Sequence, residues 1–418
     1  MLTKRVDTTD SICDITDNKN QCNQCFSNQW NQCPQRERVN AAAEIFSYEN
    51  LLRCYYKCRK RKRYTLNAAK FEIHFEDELL KLQKELESHT YKPGRSICFV
   101  VTRPKPREIF AADFRDRIIH HVLVGYLEPI WEGKFIDQSY ACRKGKGAHK
   151  AIKDLKRYIS KATKGNTQKA YYLQVDVRSF FVSLKKRILF ELIKKQVKNP
   201  EILWLTETII FHNPTCNYYR KCQASLFDLI PDHKSLFKAA PNQGLPIGNL
   251  TSQFLANVYL NELDQFIKHK LKIKYYLRYV DDLVILSQNK NQLKIWRDEI
   301  DRFLQDKLKL KLHPQKQILQ TVNKGIDFVG FIVKPDYTLT RRRIVKNLKE
   351  KLWKINQNLA EITEEQRKQL LSTVNSYYGQ FRHAKTFGLR QKLWQKNFGK
   401  LQDFLEPVDR NFSYFKIK

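Results

Sequence analysis

Asp281 and Asp282 stand side by side in the apolar run KYYLRYVDDLVILSQ (274–288), and Asp176 ends another, YYLQVD. A buried carboxylate without a partner is costly, and two adjacent ones repel. Alone, each reads as a strand-end, cap or hairpin-tip acid. Together, a strand-end Asp and an Asp-Asp turn can converge at one edge of a sheet. Hard divalent cations take such oxygen ligands and complete their shells with water and phosphate oxygens. Two ions held this way can clamp the attacking and leaving oxygens of an in-line phosphoryl transfer. The cations would neutralise a charge that the apolar run alone does not tolerate.

The elements around these acids alternate between strand and helix patterns. Residues 97–114 alternate and break at Pro104 and Pro106, as a hairpin does, and 114–132 read as an amphipathic helix. A glycine-punctuated basic turn leads into a helix over 139–159, and 170–184 form a strand that ends on an acid and two aromatics. Helix dominates 185–212, and a polar stretch runs to 242. A glycine-bearing turn feeds a long helix over 244–271, followed by the acid-bearing hairpin, a helix over 289–308 and a short strand pair at 326–333. Residues 341–405 are helical and basic, opening on RRR at 341–343. At the front, 41–92 read as helical, with acids early and lysines late in 71–89. Residues 1–40 are polar, rich in Cys, Asn and Gln, aperiodic and expected to be flexible. The pattern predicts an α+β fold divided into 1–40, 41–96, 97–335 and 336–418.

The 418 residues carry 77 Lys plus Arg against 43 Asp plus Glu, a formal net charge of +34 spread along the chain. Such a field favours a polyanion, nucleic acid before an anionic membrane. No apolar run reaches the length of a membrane span, and the first residues lack a signal-peptide pattern, so a cytoplasmic setting is expected. Six of the ten cysteines fall in the first 58 residues: Cys13, Cys22, Cys25, Cys33, Cys54 and Cys58. CNQC at 22–25 and CYYKC at 54–58 could share one zinc ion. The polar arm around them favours incidental cysteines, or a small RNA-contacting knuckle, and zinc is not expected. KCRKRKR at 57–63 adds six basic residues in seven and suits phosphate contact. His120 and His121 invite a metal reading, which is rejected because one of them should face the core of its helix.

YVDD (279–282) resembles the active-site box of reverse transcriptases, and five further blocks follow the order of the bacterial family. KPREIFAADFRDRIIHH (105–121) resembles the fingers segment, SYACRKGKGAHKA (139–151) the segment after it, and LQVDVRSFF (173–181) the first catalytic motif. IGNLTSQ (247–253) stands at the nucleotide-pocket turn, and LKLHPQKQ followed by IDFVGFIV resembles the lysine motif and primer grip. The resemblance implies a right-hand polymerase fold, with fingers and palm over 97–335 and a helical thumb over 336–418. It implies an RNA-directed DNA polymerase using two Mg2+ (or Mn2+) ions held by Asp176, Asp281 and Asp282. Lys105 and Arg107 would grip the triphosphate, Phe181 would exclude a ribose 2′-OH, and Lys316 would protonate the leaving pyrophosphate. Ile247, Gly248 and Gln253 would line the nucleotide pocket. Arg143, Lys144 and Lys146 would meet template phosphates, and Phe328, Gly330 and Phe331 would support the primer end. Each also has a structural reading: Phe181, Phe328 and Phe331 as packing aromatics, Gly248 as a helix-start turn, the lysines and arginines as surface charge.

Most of the family carries Gln-Gly, three residues, Ser-Pro at the nucleotide turn, and this chain has Ile-Gly, three residues, Ser-Gln. That variant resembles the reverse transcriptases of diversity-generating retroelements, and also some unclassified or antiphage-defence enzymes. The first implies error-prone copying at template adenines and a small basic accessory protein. The second implies copying of a structured noncoding RNA. A group II intron maturase and an RNA-binding protein without catalysis are further readings, the latter opposed by the intact acid set. In each enzymatic reading the partners are RNA template, primer and deoxynucleotides, without a membrane.

Overall fold

The computed structural model describes residues 44–418 apart from 61, 63, 64, 104 and 358–362. The expected arm over 1–40, with Cys13, Cys22, Cys25 and Cys33, lies outside the described residues, as do Arg61 and Arg63 of the basic run. The front is helical: α1 (Tyr48–Arg59), α2 (Leu66–Ile73) and α3 (Phe75–Glu87). The pattern read as continuous over 71–89 breaks at His74. These helices share one core with the centre of the molecule through Tyr55, which lies parallel to Phe75 at 5.2 Å and edge-on to Phe114 at 6.1 Å.

Next come β1 (Ser96–Val101), β2 (Arg107–Ala111), α4 (Phe114–Glu132), α5 (Ala148–Ala162), β3 (Tyr171–Val177), α6 (Lys186–Lys194), α7 (Pro200–Phe211) and β4 (Tyr218–Arg220). They are followed by α8 (Leu250–Gln265), β5 (Tyr275–Tyr279), β6 (Asp282–Ser287), α9 (Lys290–Phe303) and β7 (Leu312–Thr321). A small sheet, β8 (Ile326–Phe328), β9 (Phe331–Val333) and β10 (Thr338–Thr340), precedes α10 (Arg342–Gln357), α11 (Glu364–Phe381) and α12 (Phe387–Asn397). The hairpin β11 (Leu405–Pro407) and β12 (Phe415–Ile417) ends the chain and packs into the α10–α12 core, where Phe415 meets Tyr378 and Phe398.

The central antiparallel sheet has the order β5-β6-β3-β7. Because strand side chains alternate, Leu173, Val175 and Val177 face the core shared with α4 and α8. Tyr172, Gln174 and Asp176 face the opposite side, where α5 and the β8–β9 pair form a second core around Phe328 and Phe331. β7 replaces an expected connecting segment. It contains Pro314, which has no N–H to donate and is tolerated because β7 is an edge strand. β4, inside the stretch read as polar, adds a parallel strand to β1. Among the described residues no helix is long and apolar enough to cross a membrane.

Candidate active site

Strand register brings the acids together. Asp176 on β3 lies directly opposite Asp282 on β6, at the end where β5 and β6 join through Val280 and Asp281. The Val177 N–H donates to the Asp281 carbonyl at 3.2 Å. On the other flank the β3–β7 register shifts between Val175 and Val177, a bulge at the level of Asp176. Bulges re-aim side chains, and here Lys316 of β7 ion-pairs with Asp176. Gln174 donates to both Asp282 oxygens, at 3.1 and 3.2 Å, and to the Asp327 carbonyl at 2.9 Å.

The acids are strained electrostatically. Burial pushes the Asp281 carboxyl up, and burial together with the charges of Asp281 and Asp327 pushes Asp282 up to about 7. Burial and the nearby Lys105 and Arg107 lower Lys316. Among the described residues no three His, Cys, Asp or Glu side chains form a ready-made metal cage. The donor chemistry nonetheless fits a hard divalent ion: opposed carboxylates in a half-buried site, one already drawn to a cation. Burial holds His120 down at about 3 on the core side of α4, as expected of one histidine of the pair. Cys54 and Cys58 are buried on α1, and burial pushes their thiols up, Cys58 to about 11.

The turn is pinned from below by a residue that the sequence reading did not single out. Arg278 is fully buried and uses all five guanidinium donors. It donates to both Asp264 oxygens at 2.6–3.0 Å, to Asn257 at 3.1 Å, to Ser139 at 3.0 Å and to the Val280 carbonyl at 2.9 Å. Tyr276 adds a 2.6 Å hydrogen bond to Asp264. An arginine inside an apolar strand was the available signal, since a buried guanidinium requires a carboxylate.

The remaining candidates divide. Lys105 and Arg107 are exposed at the β1–β2 tip, and their charges are felt at Lys316 and, for Arg107, at Asp281. Ile247 is half-buried, and its carbonyl accepts from Phe110 N–H at 2.9 Å, stitching the 247–249 turn to β2. Gly248 has φ 128°, and a Cβ there would lie 2.8 Å from Ile109 and 3.0 Å from the Phe110 carbonyl, so glycine permits this close approach. Gln253 is exposed on α8. Phe181 is half-buried against Phe180, and its carbonyl accepts from Leu245 N–H at 2.8 Å, joining the segment after β3 to the turn before α8.

The candidates for template and primer contact have partners within the chain. Arg143, expected from the sequence against template phosphates, spends its guanidinium on Glu132 and on the carbonyls of Ile136 and Ser139 at 2.6 and 2.9 Å, leaving its side chain 6% exposed. It pins the loop that Arg278 grips. Lys146 is likewise held by Asp137, and Lys144, though exposed, pairs with Glu128 at 3.0 Å. Phe328 and Phe331 are buried in the second core, which is their packing reading; Gly330 is half-buried in the turn between them.

Comparison with known proteins accords with this geometry. Residues 92–333 match the family model for reverse transcriptase (RNA-dependent DNA polymerase). Protein YkfC of Escherichia coli is 25% identical over 63% of this chain and 73% of its own. Group II intron-encoded protein LtrA of Lactococcus lactis is 26% identical over 48% of this chain, which spans 30% of LtrA. Telomerase from Candida tropicalis, truncated from its C-terminal domain, superposes with a TM-score of 0.44 at 13% identity, covering 59% of this chain and 55% of that one. The α+β right-hand polymerase fold and the RNA-directed DNA polymerase activity expected from the sequence are those of the matched family. The match spans more than half of the chain, and the chain belongs to the reverse transcriptases.

Proposed function

We propose that this reverse transcriptase copies a dedicated RNA into cDNA with relaxed fidelity at template adenines, as in diversity-generating retroelements. Asp176, Asp281 and Asp282 would hold two Mg2+ ions, or Mn2+, which supply charge neutralisation at the attacking and leaving oxygens. Lys105 and Arg107 bind the triphosphate from the β1–β2 tip. Lys316 carries a proton at Nζ beside Asp176, and its lowered pKa makes it a better donor to the leaving pyrophosphate. The Phe181 ring crowds a ribose 2′-OH. The Val329–Gly330 turn meets the primer end through its backbone, since the flanking rings are buried.

The observation that supports relaxed fidelity is Ile247, a half-buried apolar side chain on a turn fastened to the fingers hairpin. It offers no hydrogen bond for checking the incoming base, and apolar contacts discriminate poorly among near-isosteres. Ile247→Gln is expected to lower misincorporation opposite template adenine several-fold, read by sequencing cDNA from an adenine-rich template. An unchanged error spectrum contradicts this reading. A second reading, an intron-type enzyme acting on its own structured RNA, is favoured by the similarity to LtrA. A small basic accessory protein belongs to the first reading and not to the second.

A further inference from the structure

The basic residues of this chain are not equally available to phosphate. Those in the segment after the fingers are committed to acids: Arg143 to Glu132, Lys144 to Glu128, Lys146 to Asp137. A second basic group lies elsewhere. Lys150, Lys153, Lys156 and Arg157 follow one another along α5, and Arg382 and Lys385 face them from the junction of α11 and α12, across a cleft of about 920 Å³. Among the described residues Lys150, Lys153, Lys156, Arg382 and Lys385 make no ion pair within 4 Å.

Two acids line this cleft, and both are engaged. Asp154 accepts from the Tyr140 hydroxyl at 2.7 Å and pairs with Arg157 at 3.0 Å, and Asp336 accepts from Asn166 at 2.6 Å. The walls are fastened to each other. The Lys385 N–H donates to the Thr338 carbonyl at 2.8 Å, and His149 stacks on His383 at 3.6 Å with Phe331 edge-on beside it. The cations therefore stand on a fixed frame, which lowers the cost of ordering them around a ligand.

The cleft begins at Phe331, one residue past the turn proposed to meet the primer, and runs away from the catalytic edge. β8 touches the site through Gln174, whereas the cleft is lined by β9 and β10, and β10 is the third strand of that sheet, roughly 10 Å from β8 at the usual strand spacing. α5 runs away from the carboxylates: its C-terminal half meets Tyr275 and Gln288, at the far end of the central strands. Lys150 to Arg157 spans roughly 10 Å of helix, enough for a few consecutive backbone phosphates.

We infer that this cleft is a second RNA-binding site, which holds the phosphate backbone of a folded RNA segment outside the primer–template path. A concave basic cleft reads shape and phosphate rather than sequence, which suits a structured RNA that must be anchored while another part of it is copied. The inference rests on the fold and the charges, not on the fidelity reading.

The test uses the full chain with its primer–template site saturated and a short blunt RNA hairpin as probe, followed by fluorescence anisotropy. Wild type is expected to bind hairpin and primer–template together. Lys153→Glu/Arg382→Glu should weaken hairpin binding by about tenfold or more and reduce the slope of log K against log salt by about 2, leaving extension of a short unstructured template unchanged. Displacement of the hairpin by primer–template in the wild type, or unchanged hairpin affinity in the variant, overturns the inference. Lost extension together with lost hairpin binding would place the cleft in the copying path and overturn it too.

Discussion

The β5–β6 and β8–β9 hairpins each close on a two-residue turn with a valine at positive φ, Val280 at 56° and Val329 at 41°. A β-branched residue there costs roughly 1–3 kcal/mol and persists only when its surroundings over-determine it. The surroundings differ. Below Val280 lies the buried Arg278–Asp264 pair with Asn257, Ser139 and Tyr276, and Arg278 reaches the turn carbonyl itself. The Val329–Gly330 turn is held by the Arg341 N–H on the Gly330 carbonyl at 3.1 Å and by a half-exposed Arg341–Asp327 pair. The turn that carries the acids is rigidly founded, whereas the turn proposed to meet the primer rests on contacts that water can replace. Chemistry tolerates little displacement of charged ligands; a primer end must translocate after each addition.

The comparison is broken most easily at Arg278. Arg278→Met leaves the Asp264 charge buried and unpaired, and should lose about 3–5 kcal/mol of stability in urea denaturation, with extension abolished. Asp264→Leu/Arg278→Met removes both charges and should recover most of that stability without recovering extension, because the Val280 carbonyl has lost its donor. Full activity in the double variant would reduce the network to a structural filler.

The acids themselves give a pH signature of intermediate size. Asp282 has its folded pKa raised to about 7 from its ordinary value of 3.8, so between those values the folded state holds a proton that the unfolded chain has lost. Stability from this group therefore falls as pH rises from about 4 to 7. In EDTA, Asp282→Asn should match the wild type in Tm near pH 4 and exceed it at pH 8. Equal Tm differences at both values would contradict the assigned burial.

The smallest effect belongs to the second turn. Arg341→Ala removes a half-exposed pair and should change stability by less than about 1 kcal/mol, raising KM for primer–template while kcat holds. A fall in kcat as large as that of the Arg278 variants would erase the distinction between the turns.

The three acids were legible in sequence because carboxylates inside apolar strands are expensive and so call for a partner. The hairpin at 97–111 was legible from alternation, that at 275–287 from an apolar run interrupted by the two acids, and the long helices from their periodicity. The partnering of charges was not. Arg278 and Asp264 sit 14 positions apart on a strand and a helix, and only packing shows that they meet. The same limit hid the partner of Arg143, whose acid Glu132 lies on the preceding helix. β7 was hidden by Pro314 and by its exposed centre, both consequences of lying at a sheet edge. β4 is three residues long and carries no alternation to read.

The central claim is that this chain makes DNA on an RNA template with Asp176, Asp281 and Asp282 as its charge-bearing centre. Primer extension on an RNA template with Mg2+ and deoxynucleotides, comparing wild type with Asp281→Asn, tests it most directly. Template-dependent DNA product is expected from the wild type, with a loss of about 10³-fold or more in the variant, the scale of several kcal/mol of transition-state charge stabilisation. Extension by Asp281→Asn at the wild-type rate, or no product from the wild type on any RNA including its own, would contradict it.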